Sequence, residues 1–491
     1  MTRHSRRAGV AAVMRLGGAV GAALLAAGLP AHGGAAKPAE RPNILFAIAD
    51  DWSWPHAGAY GDKVVATPTF DRLAGTGVRF TQAFCAAPSC TPSRGAILTG
   101  QAIHRLGPGG NLWSYLPKDY TVYPDLLEAA GYVVGHTRKG WGPGKLKPAG
   151  RSRNPAGPKF KSFARFFETV EDDAPFCFWF GSFDPHRPYK EGSGVAAGMD
   201  PADVVVPPFL PDTPEVRSDI LDYYVEVQRF DRGLGKILDQ LERAGRLANT
   251  LVVMTSDNGM PFPRAKTSLY DSGSRMPLAI SWPARVKPGR TVDAPFVFTD
   301  FAPTFLEAAG LEADGEMTGK SWLGVLTQNG PPPRDRVFFG RERHANVRRG
   351  DLSYPARAVR TSDFLYIRNF RPDRWPAGDP EHYRVVGPFG DIDGSPSKTL
   401  ILERRDDPEI APFFKLACAK RPAEELYDLE RDPAQLRNVA GDAKYDTAQT
   451  ELRDSLAAWM KRTTDPRATS DDDPWDRYPY VGGQRDWPPK Q

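Results

Sequence analysis

The segment Cys90-Thr-Pro-Ser-Arg-Gly95 sets a thiol just ahead of a stretch, Ser93–Thr99, that reads as the start of a helix. Helix N-termini favour anions through unpaired N–H groups and the helix dipole. Such a cysteine is either a reactive group or half of a disulfide. The chain has four cysteines, Cys85, Cys90, Cys177 and Cys418, with no C-x-x-C pair, which speaks against structural zinc. An even count leaves room for two disulfides in an oxidising compartment. Asp50-Asp51 and Asp257-Asn258 offer hard oxygen ligands of the kind calcium or magnesium prefers. Each also has an ordinary reading: adjacent acids cap helices, and Asp-Asn-Gly is a common turn. Taken together with Cys90, these groups outline metal-assisted attack on a negatively charged substrate, whose oxygens must be neutralised while a bond is made.

The elements that must position these residues are legible as short apolar runs. Asn43–Ala49 is apolar throughout and ends in Asp50-Asp51, as expected of a strand buried on both faces of a parallel sheet. Tyr132–Val134 follows a helical stretch at Asp125–Ala130, Phe176–Phe183 ends in Asp184-Pro-His186, and Thr250–Thr255 ends in Ser256-Asp-Asn-Gly259. Three of the four runs deliver polar residues at the carboxyl end of a strand, where open α/β sheets hold their ligands. The clearest helix lies between the last two runs. Thr213 caps it, Pro214 suits its first turn, and Gly245 stops it. Val216, Ile220, Tyr224, Val227, Leu234, Leu238 and Leu241 share one face.

Alternating strands and helices predict a doubly wound α/β domain over residues 41–345, with a mixed, mainly parallel sheet. A smaller C-terminal α+β domain is expected over 346–465. It contains a hairpin of Ala356–Arg360 and Phe364–Phe370, a short strand at Glu425–Leu429 and a closing helix at Tyr445–Lys461. Residues 466–491, rich in Asp, Pro and Trp, read as an irregular tail.

Residues 1–31 read as a signal peptide. Arg3, Arg6, Arg7 and Arg15 precede or open an apolar run, Leu16–Leu29, that is shorter than the ~20 residues of a membrane span. Ala31 marks a plausible cleavage region, and a permanent N-terminal anchor is the competing reading. The expectation is export to the periplasm or the medium, with no stable membrane anchor. Cleavage would lower the formal charge from +4 to zero, so the mature chain has no global field for polyanions and no basic signature of nucleic-acid binding. Attraction for an anionic substrate must then be local to a pocket. The 47 Gly and 47 Pro among 491 residues fit many turns and long connections without low complexity.

Cys90-Thr-Pro-Ser-Arg94 resembles the C-x-P-S-R signature of the sulfatase family, whose cysteine is converted to Cα-formylglycine, and the resemblance covers nearly the whole mature chain. It implies a calcium-dependent hydrolase with one Ca2+ per chain, held by Asp50, Asp51, Asp257, Asn258 and the modified Cys90. Arg94 would support the formylglycine hydroxyls, Lys139 and Lys266 would bind the sulfate, and His186 would protonate the leaving group. Partners follow: a sulfated glycan or sugar as substrate, and a maturation enzyme that makes the formylglycine. Asp257-Asn-Gly-Met-Pro-Phe-Pro263, Ser353-Tyr-Pro355 and Asp184-Pro-His-Arg187 are similar to the heparan N-sulfatase subgroup, which cleaves a sulfamate N–S bond. O-sulfate ester hydrolysis on a sulfated carbohydrate is the primary expectation, and the sulfamidase reaction is the alternative.

The family usually carries Lys-x-His, whereas Trp141 stands two residues after Lys139. His104 and His136 are the candidates for the missing base. Trp52, Trp54, Trp113, Trp141 and Arg187 are candidates to line a sugar site. Two rivals remain: a phosphoester or phosphonate monoester hydrolase, since the superfold serves both chemistries, and a non-catalytic glycan-binding relative.

Overall fold

In a computed structural model of the chain, residues 41–381 and 386–483 are described; the expected signal segment, residues 1–31, lies outside them. The larger sheet is built from β1 (Asn43–Ala49), β2 (Val78–Phe84), β3 (Val133–Thr137), β4 (Lys159–Phe160), β5 (Phe176–Gly181), β6 (Thr250–Ser256), β7 (Arg275–Ser281), β8 (Arg290–Val292) and β9 (Phe296–Val297). Its order is β4-β3-β5-β1-β6-β7-β2-β8, with β9 also on β2. From β4 to β6 every pairing is parallel, and β7 runs antiparallel to both its neighbours. The sheet is therefore mixed and mainly parallel, as the alternating pattern requires.

Alternate residues of β1 feed two separate cores, which explains why the run is apolar without a break. Ile44, Phe46 and Ile48 pack on one face with Trp179, Phe301 and Phe305. Leu45, Ala47 and Ala49 pack on the other, against the long helix. That helix spans Pro214–Arg243, with Thr213 Oγ1 accepting a hydrogen bond from the Val216 amide at 3.5 Å. All seven residues of the anticipated apolar face are buried. Burying a large apolar side chain is worth about 1.5–3 kcal/mol, so this face anchors the helix far more firmly than its cap does.

A second sheet, ordered β10-β11-β12-β13, is antiparallel and consists of β10 (Val337–Arg341), β11 (Ala356–Arg360), β12 (Phe364–Asn369) and β13 (Glu424–Asp428). Its first strand comes from the stretch before residue 345, because Phe339 and Val337 join Phe84, Leu269 and Tyr270 in a core shared with the larger sheet. The helix Asp446–Arg462 covers the other face through Leu452, Leu456, Trp459 and Met460. Two short helices, Pro466–Ala468 and Pro474–Arg477, follow in the tail. Trp475 is buried there, its indole N–H donating to the Gly107 carbonyl at 3.1 Å. Among the described residues, no helix is long and apolar enough to cross a membrane.

Candidate active site

Strand register brings the polar strand ends together. Ile48 lies opposite Gly181 on one side and Thr255 on the other, so β5, β1 and β6 finish level. Backbone bonds continue past the ends: the Asp50 amide donates to the Asp184 carbonyl at 3.0 Å, and the Asp257 amide to the Ala49 carbonyl at 3.2 Å. Asp51 holds a left-handed φ of 80°, a rare conformation outside glycine that turns the chain sharply at the strand end. Its amide donates to Asp257 Oδ1 at 3.1 Å.

The helix carrying Cys90 runs from Cys90 to Thr99, beginning three residues earlier than Ser93 and buried along its whole length. Pro92 is compatible with this, since the first turn leaves its amide unpaired in any case. Cys90 Sγ is 3.4 Å from Asp50 Oδ1 and 3.9 Å from Asp51 Oδ1. One ligand atom from each of Asp50, Asp51, Cys90 and Asp257 lies within 4.8 Å of the others. All four cysteines are free thiols, which removes the disulfide reading of Cys90.

Basic side chains close the cluster. Arg94 donates from Nε to Asp257 Oδ2 at 2.7 Å, and its Nη1 bonds the Lys139 and Gly140 carbonyls at 2.9 and 3.0 Å. Lys139 Nζ sits 2.6 Å from both oxygens of Asp50. Lys266 Nζ bridges Asp51 Oδ2 at 2.7 Å and Asp393 Oδ2 at 3.0 Å. His186 Nε2 is 3.8 Å from Asp51 Oδ2, while its Nδ1 donates to the Arg187 carbonyl at 2.6 Å. All nine residues anticipated from the sequence thus meet in one place.

The electrostatics follow from burial opposed by these contacts. Burial works against ionising Asp50, but Lys139, His186, Arg94 and Lys266 override it and hold its carboxyl well below the usual range. At Asp257 burial wins over Arg94, raising the carboxyl to about 6. Burial opposes the charge on Lys266 too, yet Asp393 and Asp51 keep its ammonium well above its ordinary value.

The donor set fits a hard divalent cation. Three carboxylates converge, and Asn258 Oδ1 is buried with no hydrogen-bond partner, while its Nδ2 is spent on Asp51 Oδ1 at 2.7 Å and the Gly259 carbonyl. Buried amide oxygens are rarely left orphaned, and a cation would satisfy this one. Carboxylate and amide oxygens suit calcium or magnesium better than a soft metal.

The cluster opens into a cleft of about 1090 Å3 whose wall includes Trp113, Trp141, His136, Arg187, Phe183 and His344. Trp52 instead packs in the core against Phe70 and Phe230, and Trp54 stacks under Arg275 away from the cleft. Arg187 is locked in a two-point bond to Asp219. His104 is tied to Thr463 and Asp465 beneath Trp459 and takes no part in the cleft wall. Trp141 is buried, its backbone paired in both directions with the Asn154 side chain.

Two residues of the site escaped sequence reasoning. Asp393, the second partner of Lys266, sits 127 positions away from it. His344 lies in the cleft wall, its Nδ1 2.8 Å from the hydroxyl of Ser89, the residue before Cys90. Burial lowers its pKa to about 3, so the imidazole is neutral. Both belong to the C-terminal part of the chain and carry no local motif.

Residues 42–311 match the family described as Sulfatase, and residues 264–381 match the C-terminal region of N-sulphoglucosamine sulphohydrolase. The human N-sulphoglucosamine sulphohydrolase is 31% identical over 478 residues, covering 86% of this chain and 91% of its own. An ulvan-active sulfatase of Formosa agariphila is 28% identical over 86% of this chain and 75% of its own. Among solved structures, one in complex with its substrate D-glucosamine-2-N,6-O-disulfate superposes with a TM-score of 0.63. It is 21% identical, and the match covers 89% of this chain and all of that one. The phosphonate monoester hydrolase of Agrobacterium radiobacter shares the fold at a TM-score of 0.60 and 18% identity, over 86% of this chain and 96% of its own.

Proposed function

The chain belongs to the sulfatase family, and on that premise we propose that it hydrolyses sulfate groups from a sulfated carbohydrate with a formylglycine made from Cys90 and one calcium ion. The observation that carries this reading is the meeting of residue 90 with three carboxylates and two lysines at the level carboxyl ends of β1, β5 and β6. Asp50, Asp51, Asp257 and Asn258, with the side chain of residue 90, would hold the ion. When bound, calcium supplies positive charge at the sulfate oxygens, and the hydrated aldehyde supplies a hydroxyl nucleophile.

The remaining roles belong to unmodified side chains. Lys139 and Lys266 neutralise the sulfate oxygens as charge builds. Arg94, fixed by Asp257 and the Lys139 and Gly140 carbonyls, orients residue 90. His186, with Nδ1–H committed to the Arg187 carbonyl, holds a proton at Nε2 for the departing oxygen or nitrogen. His344, neutral and with Nδ1 2.8 Å from the Ser89 hydroxyl, helps to hold the residue before Cys90 in place; burial makes it too weak a base to take the role left open by Trp141.

The similarity to N-sulphoglucosamine sulphohydrolase over both segments of the chain favours a second reading, in which the scissile bond is the sulfamate N–S bond of N-sulfated glucosamine. The same geometry serves both, since His186 protonates either leaving atom. Export by the N-terminal segment, and modification of Cys90 by a maturation enzyme, complete the reading. Purified protein should release sulfate from N- or O-sulfated glucosamine and from an aryl sulfate faster than phosphate from the matching aryl phosphate. The Cys90→Ala variant should lose that turnover. Faster phosphate release, or full turnover by Cys90→Ala, would refute the reading.

A further inference from the structure

Beyond the cation cluster, the cleft wall beside His186 carries an arrangement with no part in the chemistry above. Arg138 follows β3, and Arg229 projects from the long helix 91 positions later in the chain. Their side chains converge on one carboxylate: Arg138 Nη1 is 3.3 Å from Asp184 Oδ2, and Arg229 Nη1 is 3.1 Å from Asp184 Oδ1. Asp184 is itself buried, and Ser182 Oγ donates to it at 3.2 Å. The arginines are not: their side chains are 49% and 52% exposed. Each commits only Nη1 to the described residues, leaving Nε and Nη2 with donors to spare. Such a pair is built for an oxyanion, because guanidinium forks match carboxylate and sulfate geometry.

The location says which part of a substrate meets this pair. Asp184 is two residues from His186, and Phe183, 55% exposed, lies next to it in the same wall. We propose that Arg138 and Arg229, braced on Asp184, form an anion subsite that grips a second negatively charged group, a carboxylate or a further sulfate, on the leaving-group side of the sugar chain. The inference rests on the functional reading above in one respect, that His186 marks the leaving-group side. Glu226 also bonds Arg229, and burial with a hydrogen bond to Asp184 raises its carboxyl to about 7. Below that pH Glu226 therefore offsets little of the positive charge on Arg229. If residues 1–31 are removed on export, the remaining chain carries no formal net charge, and a local patch of this kind is where attraction for a polyanion would come from.

The test is calorimetric binding to the calcium-loaded Cys90→Ala protein, which cannot turn over. Three sulfated disaccharides are compared that differ only in the neighbouring sugar, which is neutral, carboxylated or sulfated. The doubly charged ligands should bind about 10–100-fold more tightly than the singly charged one, the worth of one or two charge-assisted hydrogen bonds. In the Arg138→Gln/Arg229→Gln background that ratio should fall toward one. Collapse for the carboxylated or the sulfated ligand alone would identify which oxyanion the subsite takes. No preference in the parent, or a ratio that survives the double substitution, would overturn the subsite. Sulfate release by the wild-type protein from N- or O-sulfated glucosamine, measured alongside, tests the functional reading separately: its absence would refute that reading while the binding ratio still decides the subsite.

Discussion

At the scale of single residues, charge fixation is what distinguishes this site from an ordinary acidic cluster. Lys266 is clamped between Asp51 and Asp393, so its ammonium is both charged and aimed. Lys266→Ala should lower kcat/KM by about 10²–10³-fold, the usual loss for one fixed donor to a developing anion. Asp393→Asn keeps the lysine but loosens it, and should cost nearer tenfold, carried mainly by KM. Steady-state kinetics on one sulfated sugar separates the two; an Asp393→Asn loss as large as that of Lys266→Ala would contradict the positioning role. Glu226 offers a different test. Its folded-state carboxyl, at about 7 against an ordinary 4.5, binds protons more readily than in the unfolded chain. Its contribution to stability is thus complete below the ordinary value and is lost as pH rises toward 7. The melting temperature of Glu226→Gln should decline less than wild type across that window, and parallel pH profiles would refute the assignment. Most of the chemistry-bearing residues were legible because each sits in a short motif, and Lys266 followed from the family resemblance alone. Asp393 and His344 were not, because nothing local marks a residue whose partner lies more than a hundred positions away.

At the scale of elements, the site depends on three strands ending level and on one close crossing. A side chain at Gly181, the last residue of β5, would place its Cβ 1.8 Å from the Lys139 carbonyl oxygen. Only glycine lets β5 pass under the loop that carries Lys139. Gly181→Ala should therefore destabilise the protein by about 1–3 kcal/mol, as overpacking does, and displace Lys139 enough to cut kcat/KM by about 100-fold. Thermal melts and kinetics of the variant check this, and near-wild-type values for both would contradict it. The main strands and the long helix were readable because period and composition are strong there: β1 is apolar on both faces, and the helix keeps one apolar stripe for thirty residues. β2 and β7 were not, since β2 alternates buried and half-buried positions and carries a register shift. The helix at Cys90 starts earlier than its sequence suggests because the whole element is buried, which outweighs the modest helix propensity of Thr91, while Pro92 falls in the first turn where it costs little.

At the scale of the whole molecule, the two sheets share the site: the strand ends of the larger one supply the acidic cluster proposed to hold a cation, while the segments around the smaller one supply His344 and Asp393. Calcium bound among Asp50, Asp51, Asp257 and Asn258 should stabilise the entire fold. Saturating calcium over a chelated sample is expected to raise stability by about 4 kcal/mol at a thousandfold excess over Kd. Scanning calorimetry with and without chelator measures this, and an unchanged melting temperature would contradict the assignment of these ligands. The overall architecture was readable from the order of apolar runs, but the sharing of the site between sheets was not, because it arises from long-range packing of segments without motifs. Residue 90 matters more to the proposed chemistry than any other position in the molecule. Mass spectrometry of the peptide containing residue 90, taken from protein with demonstrated sulfate-releasing activity, should show a loss equal to the difference between SH2 and O. An unmodified cysteine throughout fully active protein would contradict it.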